Sequence, residues 1–133
     1  MGRGRGVGAV SARSLATALL AAAAALACGR EPLAVVPGGD AEAGRQVIAA
    51  YQCGVCHVIP GVRGARGVVG PPLTGFALRS YIGGRVPNTP QNLVAWVLEP
   101  SALAPGTAMP AVGLDPQQAR DVAAYLYQLR DAP

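Results

Sequence analysis

Cys53-Gly54-Val55-Cys56-His57 constrains this chain more than any other stretch of its 133 residues. Two thiols separated by two residues can each form a thioether to one vinyl group on a porphyrin edge, and the next residue then lies under the metal. C-x-x-C-H is accordingly the attachment signature of a c-type haem, with His57 as the proximal iron ligand through an imidazole nitrogen. A group held by two covalent bonds does not leave, so the chain must fold around it. Other uses of these residues fit less well. A zinc site needs four ligands; the candidates are Cys28, Cys53, Cys56 and His57, and the neighbours Cys56 and His57 are poorly placed to hold one ion together. An iron–sulfur cluster normally takes four cysteines, and the chain has three. A thioredoxin-like dithiol would follow a strand in a βαβ unit, whereas the residues before Cys53 read as a helix. A structural disulfide leaves His57 unexplained, and a redox or structural dithiol stands as the main alternative to haem attachment.

The ligand inventory narrows the sixth iron position. The chain has one histidine and two methionines, one of them Met1, so a second histidine cannot serve and Met109 is the available thioether. A single methionine is ordinarily a packed core residue. Met109, however, lies in Pro105-Gly106-Thr107-Ala108-Met109-Pro110, whose two prolines and glycine predict an irregular turn. A sulfur presented from a stiff loop suits a ligand that must be held in place, and His/Met ligation raises the reduction potential.

The N-terminus indicates where such a protein works. Arg3, Arg5 and Arg13 precede an alanine- and leucine-rich run from Leu15 to Leu26, too short for a comfortable membrane span. Residues 1–27 are therefore expected to be an export signal. Ala25-Leu26-Ala27 supplies a small-x-small cleavage pattern before Cys28. The same bond resembles a bacterial lipoprotein site, although the leucine usual three places before the cysteine is Ala25 here. Lipidation of Cys28 is the expectation, because a free thiol is an unusual residue to leave at the tip of an exported chain; a soluble periplasmic chain or an uncleaved anchor are the alternatives. Three of the eleven basic residues fall in the signal, leaving eight against seven acids. A nearly neutral mature protein carries no message of nucleic-acid binding. Lysine is absent, so a docking surface built on a ring of lysines is missing, with arginines as the residues that could replace some of it.

Residues 28–39, with Pro32, Pro37 and Gly38-Gly39, are expected to be a flexible tether, and 40–133 one small domain. Asp40 is a plausible N-cap for a helix running to about Gln52, with Val47, Ile48 and Tyr51 on its apolar face. Val58 to Gly70 is glycine-rich and read as a loop, with Arg63 and Arg66 solvated. Thr89 and Pro90 open a second helix containing Leu93, Val94, Trp96 and Val97, which Pro100 stops. Asp115, Pro116 and Gln118 form a capping-box start to a last helix with Val122, Ala123, Tyr125, Leu126 and Leu129 as its buried stripe. No strand is convincing, and the expected class is all-α. Roughly ninety residues is a marginal size for a domain with long loops, so a flat apolar haem is expected to supply much of the core.

From Gly39 onward the order of motifs resembles the class I cytochromes c: a first helix ending in C-x-x-C-H, Gly70-Pro71-Pro72-Leu73, Pro105-Gly106-Thr107-Ala108-Met109, and a final helix with Ala124-Tyr125-Leu126. The run Pro87 to Trp96 with Glu99-Pro100 is similar to the cytochrome c domain fused to subunit II of caa3-type oxidases. The resemblance implies a small helical fold with long loops around one haem c bound through Cys53 and Cys56. It implies that the Pro71 carbonyl accepts a hydrogen bond from the proximal imidazole and that Leu73 packs on the haem. It also implies that Arg79 pairs with a haem propionate, with a plain surface arginine as the competing reading. Trp96 then sits beside the haem on the Met109 side with its N–H toward a propionate, and Gly44 meets Tyr125 where the first and last helices cross. A fused oxidase subunit would also need a copper domain with further histidines, so a free-standing haem domain is expected.

The combined reading is a monohaem electron carrier rather than an enzyme. It would be exported and lipid-anchored on the outer face of a bacterial cytoplasmic membrane, or periplasmic. It would take electrons from an upstream donor complex and pass them singly to a membrane oxidase or reductase. Two other classes compete: an electron-entry subunit of a larger oxidoreductase, and an open-site haem sensor or peroxidase. The second requires an iron without Met109.

Overall fold

The structure, a computed structural model, describes residues 34–130. The expected signal segment, the lipidation site Cys28 and the start of the tether lie outside the described residues. Helix α1 spans Ala41–Ala50, and the Asp40 carboxylate caps it by accepting from the Ala43 N–H at 2.9 Å. It ends before the expected Gln52 because Gln52 itself takes a left-handed conformation, φ 57°. That conformation costs a non-glycine residue about 1–2 kcal/mol. It breaks the helix and starts the 3-10 turn Cys53–Val55, so the C-x-x-C-H segment leaves the helix axis at a fixed angle.

Helix α2, Pro90–Leu98, is capped by Thr89 and buries Leu93, Trp96 and Val97. Pro100 stops it as expected but also opens a further short helix, α3, Pro100–Leu103, since a proline ring is preorganised for a first helical position. Helix α4 spans Pro116–Leu126. Its capping box is complete: Asp115 accepts from the Gln117 and Gln118 amides at 2.8 and 2.9 Å, and the Gln118 side chain accepts from the Asp115 N–H at 3.0 Å.

One expectation is corrected. Two short strands exist, β1 Tyr81–Ile82 and β2 Val86–Pro87, antiparallel with Ile82 opposite Val86. Two-residue strands are too short to show a period of two in sequence. The fold is nevertheless helical in class, with helices and long loops and this single hairpin among the described residues.

Helices α1 and α4 make the tightest packing. A β-carbon at Gly44 would fall on the backbone carbonyl of Asp121, so the two helices approach to backbone contact. Ile48 from α1 and Ala119, Val122, Ala123 and Leu126 from α4 are buried around that crossing. Asp121, a buried carboxylate, accepts from the Asp40 N–H at 2.9 Å and from Gln117 Nε2 at 2.8 Å. The last helix thereby satisfies a backbone donor at the entry to the first. Residues 34–39, assigned to the tether, are docked rather than free: Val36 is buried, and the Gly38 carbonyl accepts from Gln117 Nε2 at 2.7 Å. The reason is that Val36 and the glycines fit against α4, where Gly39 has no room for a side chain beside Arg120.

The glycine-rich stretch 58–70 is a packed lobe. Ile59, Val62 and Ala65 are buried, Val58 bridges Arg66, and the Tyr125 hydroxyl donates to the Pro60 carbonyl at 2.6 Å. Arg63 and Arg66 remain exposed. At the opposite end, the Tyr127 hydroxyl donates to Asn88 Oδ1 at 2.8 Å. Asn88 Nδ2 in turn donates to the Phe76 and Arg79 carbonyls at 3.1 and 3.0 Å.

Two outcomes are expected. Gly44→Ala forces the helices apart and destabilises the protein by about 1–3 kcal/mol, read as a lower urea midpoint at unchanged m-value. Burial pushes the Tyr127 phenol from 10.0 up to about 12. A raised folded-state value means that this contribution is intact below pH 10 and is lost as pH rises through about 12. Urea titrations between those limits should show stability falling faster for the wild type than for Tyr127→Phe.

Candidate functional site

The end of α1, the 58–70 lobe, the β1–β2 hairpin, α2 and the 104–110 loop enclose a cavity of about 440 Å³. Its lining includes every residue singled out above for cofactor contact: Cys53, Cys56, His57, Pro71, Leu73, Arg79, Trp96 and Met109. The walls are otherwise mainly apolar, with Ile48, Ile59, Phe76, Leu93, Val97 and Leu126 among them.

His57 is held from two sides. Its Nδ1 lies 2.8 Å from the Pro71 carbonyl oxygen. A carbonyl only accepts, so Nδ1 must carry the proton and Nε2 is the nitrogen left for a metal. The imidazole also lies directly against Gly70, where a β-carbon would overlap the ring. The lobe that delivers Gly70 and Pro71 is hydrogen-bonded to the motif itself: Gly70 N–H donates to the Cys56 carbonyl at 2.7 Å and Gly67 N–H to the Gly54 carbonyl at 3.0 Å. Cys53 and Cys56 are both half-buried at the cavity edge.

Met109 sits in irregular backbone, as its prolines and glycine predicted, and is half-buried. Thr107 steadies it: the Thr107 N–H donates to the Ala104 carbonyl at 3.0 Å, and its hydroxyl accepts from the Met109 N–H at 3.3 Å. Leu73 is half-buried against the core, its N–H donating to the Val58 carbonyl at 2.8 Å. Two further side chains of the cavity wall have partners within the protein. The Trp96 indole N–H donates to Met109 Sδ at 3.1 Å, α2 presenting that ring to the 104–110 loop. Arg79 donates to the Pro72 and Thr74 carbonyls and stacks over Phe76, 5.4 Å from its centroid.

Gly70 and Gly83 are site residues that residue chemistry did not pick out. Neither has a side chain, and their role is to let an imidazole and an indole sit against backbone. For Gly70 a signal existed, since it immediately precedes Pro71; for Gly83 the sequence offered only an adjacent glycine pair.

Two neighbouring cysteines, an imidazole of fixed tautomer and an apolar cavity beside them match the donor set and shape that a covalently attached porphyrin requires. The site thus defines a small helical haem protein. The family model described as cytochrome c matches residues 41–130, and the chain belongs to the cytochrome c family, class I, with one haem c attached through Cys53 and Cys56.

Among relatives, cytochrome c oxidase subunit 2 of Alkalihalophilus pseudofirmus is 35% identical over 91 residues, 68% of this chain and 26% of that protein. The chain spans about a quarter of that relative's length. Cytochrome c of Tetrahymena pyriformis is 34% identical over 105 residues, 73% of this chain and 95% of that protein. The solved cytochrome c2 of Rhodobacter sphaeroides shares the fold with a TM-score of 0.55 at 22% identity, covering 71% of this chain and 99% of that one.

Gly70→Ala is expected to push the imidazole off its seat. The haem-loaded variant should lose about 1–3 kcal/mol of stability and show an altered visible spectrum; a wild-type spectrum and melting curve would refute the seat.

Proposed function

We propose that the protein is a monohaem electron carrier with His57 and Met109 as axial ligands. It would take single electrons from an upstream donor complex and pass them to a membrane oxidase or reductase. The observation that carries this reading is that one cavity is lined by both His57, with Nδ1 bound by Pro71, and Met109.

The haem, when bound, supplies an iron that cycles between Fe(III) and Fe(II). The chain's own residues keep that cycle simple. The Pro71 carbonyl fixes the imidazole tautomer and raises its basicity. The Thr107-braced loop presents the Met109 sulfur without a helix behind it. Leu73, Trp96 and the buried Phe76 and Leu93 exclude water from the cavity, and retaining both ligands through the cycle keeps reorganisation small. Arg79, fixed over Phe76 at the cavity wall, is placed to pair with a haem carboxylate. An open-site sensor or peroxidase fits less well, because the single histidine of the chain is His57 and leaves no distal acid/base group.

Localisation rests on residues outside the described ones. The basic and apolar segment 1–27 and Cys28 support export and a lipid anchor at the outer face of the bacterial cytoplasmic membrane, or a periplasmic location. Among the described residues no helix is long and apolar enough to cross a membrane. Tethering at Cys28 would raise the effective concentration near membrane partners and offset the missing lysines. The likeness to an oxidase subunit of which this chain covers 26% also supports a second reading, an electron-entry subunit of a larger complex.

A redox titration with visible and near-infrared spectra tests the ligation. The wild type should show a positive midpoint, a sulfur-to-iron charge-transfer band when oxidised, and no carbon monoxide binding when reduced. Met109→Ala should lose the band, lower the midpoint and bind carbon monoxide. A wild type that already binds carbon monoxide would mean an open iron. For the anchor, Cys28→Ser should move the haem protein from the membrane fraction to the soluble one in the expressing cell.

A further inference from the structure

The β1–β2 hairpin forms part of the cavity wall, and its turn touches the residue that touches Met109. Trp96, 7% exposed, donates its indole N–H to Met109 Sδ at 3.1 Å. The opposite side of the same indole is packed on the hairpin turn: a β-carbon at Gly83 would lie 2.5 Å from Cη2, 2.9 Å from Cζ2 and 3.2 Å from Cζ3. Gly84, next along the turn, has the same left-handed backbone, φ +68° against +55° at Gly83, and open space around its missing side chain.

We propose that Gly83 is a positioning residue for the haem centre: by seating the Trp96 indole it aims the ring N–H at the Met109 sulfur, and so sets the reduction potential. This rests on Met109 being an iron ligand. An indole N–H is a donor only, so its bond occupies a sulfur lone pair and draws electron density from the thioether. A poorer sulfur donor stabilises Fe(III) less than Fe(II), which raises the potential. The same bond restrains the sulfur against displacement. Gly83 has no side chain; its role here is the space it leaves for the indole.

The test uses the haem-loaded full chain and compares wild type, Gly83→Ala, Gly84→Ala, Trp96→Phe and the Gly83→Ala/Trp96→Phe double variant. Midpoint potential, the sulfur-to-iron band and the rate at which imidazole displaces the thioether in the oxidised protein are measured for each. Losing one neutral hydrogen bond should lower the reduced-to-oxidised ratio at fixed potential by about threefold to tenfold, tenfold being about 59 mV for a one-electron couple. Trp96→Phe and Gly83→Ala should both show this fall and faster displacement. Gly84→Ala, which carries the backbone strain without the overlap, should match wild type.

The double variant should fall no further than Trp96→Phe alone, because both changes remove one interaction. Its shorter ring also makes room for the methyl. If Gly83→Ala alone fails to take up haem, recovery of loading in the double variant supports the seat and continued failure overturns it. Equal behaviour of Gly83→Ala and Gly84→Ala, additive effects in the double variant, or an unchanged potential in Trp96→Phe would overturn the proposal while leaving His57/Met109 ligation intact. A wild type lacking the sulfur-to-iron band would overturn the ligation itself, and this inference with it.

Discussion

Backbone-to-backbone contact between α1 and α4 at Gly44 is the constraint from which the site's geometry follows. It is possible only because a glycine faces the Asp121 carbonyl. It fixes where α1 lies against α4, and the left-handed Gln52 at the end of α1 then starts the 3-10 turn that leads into Cys53, Cys56 and His57. The buried Asp121 carboxylate adds a polar lock at the same crossing by accepting the Asp40 N–H. A buried carboxylate is tolerable there because it accepts from both Asp40 and Gln117. From this frame, α4 also supports α2 and hence Trp96.

The opposite wall is built differently. No α-helix stands between Val58 and Tyr81, only the 3-10 turn Phe76–Leu78, and the chain is held instead by backbone hydrogen bonds and by polar side chains that reach across sequence. Gly70 and Gly67 amides tie the 58–70 lobe to the motif; Tyr125 ties it to α4; Asn88 and Tyr127 tie the 76–80 segment to the hairpin and the last helix. Loops of this kind hold a rigid shape only when their polar groups are paired. Here the pairing leaves an apolar cavity of about 440 Å³ near the centre of a small domain. Haem occupancy therefore contributes to the core as well as to the chemistry.

Local chemistry made much of this legible in sequence. The Asp40 and Thr89 caps, the Asp115–Gln118 capping box and Pro116 at a first helical position depend on residues within four positions of one another, and all are present. Elements that depend on distant partners were not legible. Gln52 offered no sign that it would take a positive φ, the hairpin was too short for a pattern, and Val36 is buried only because α4 lies beneath it. Trp96 was placed beside Met109 by family resemblance, but the hydrogen bond from its N–H to the thioether was not legible. That bond depends on ring orientation, which is set by Gly83 from another element.

The sequence by itself determined the covalent attachment through Cys53 and Cys56 and offered His57 and Met109 as the candidate axial ligands, because the attachment motif depends on spacing along a single short segment. The Pro71 contact with the imidazole was expected from the motif order, whereas tertiary structure alone decided the glycine surfaces under the imidazole and the indole and the donor aimed at the Met109 sulfur. Those contacts join residues that the helix crossing and the loops bring together in space. Their strength depends on tenths of an ångström, which composition and spacing along the chain do not specify.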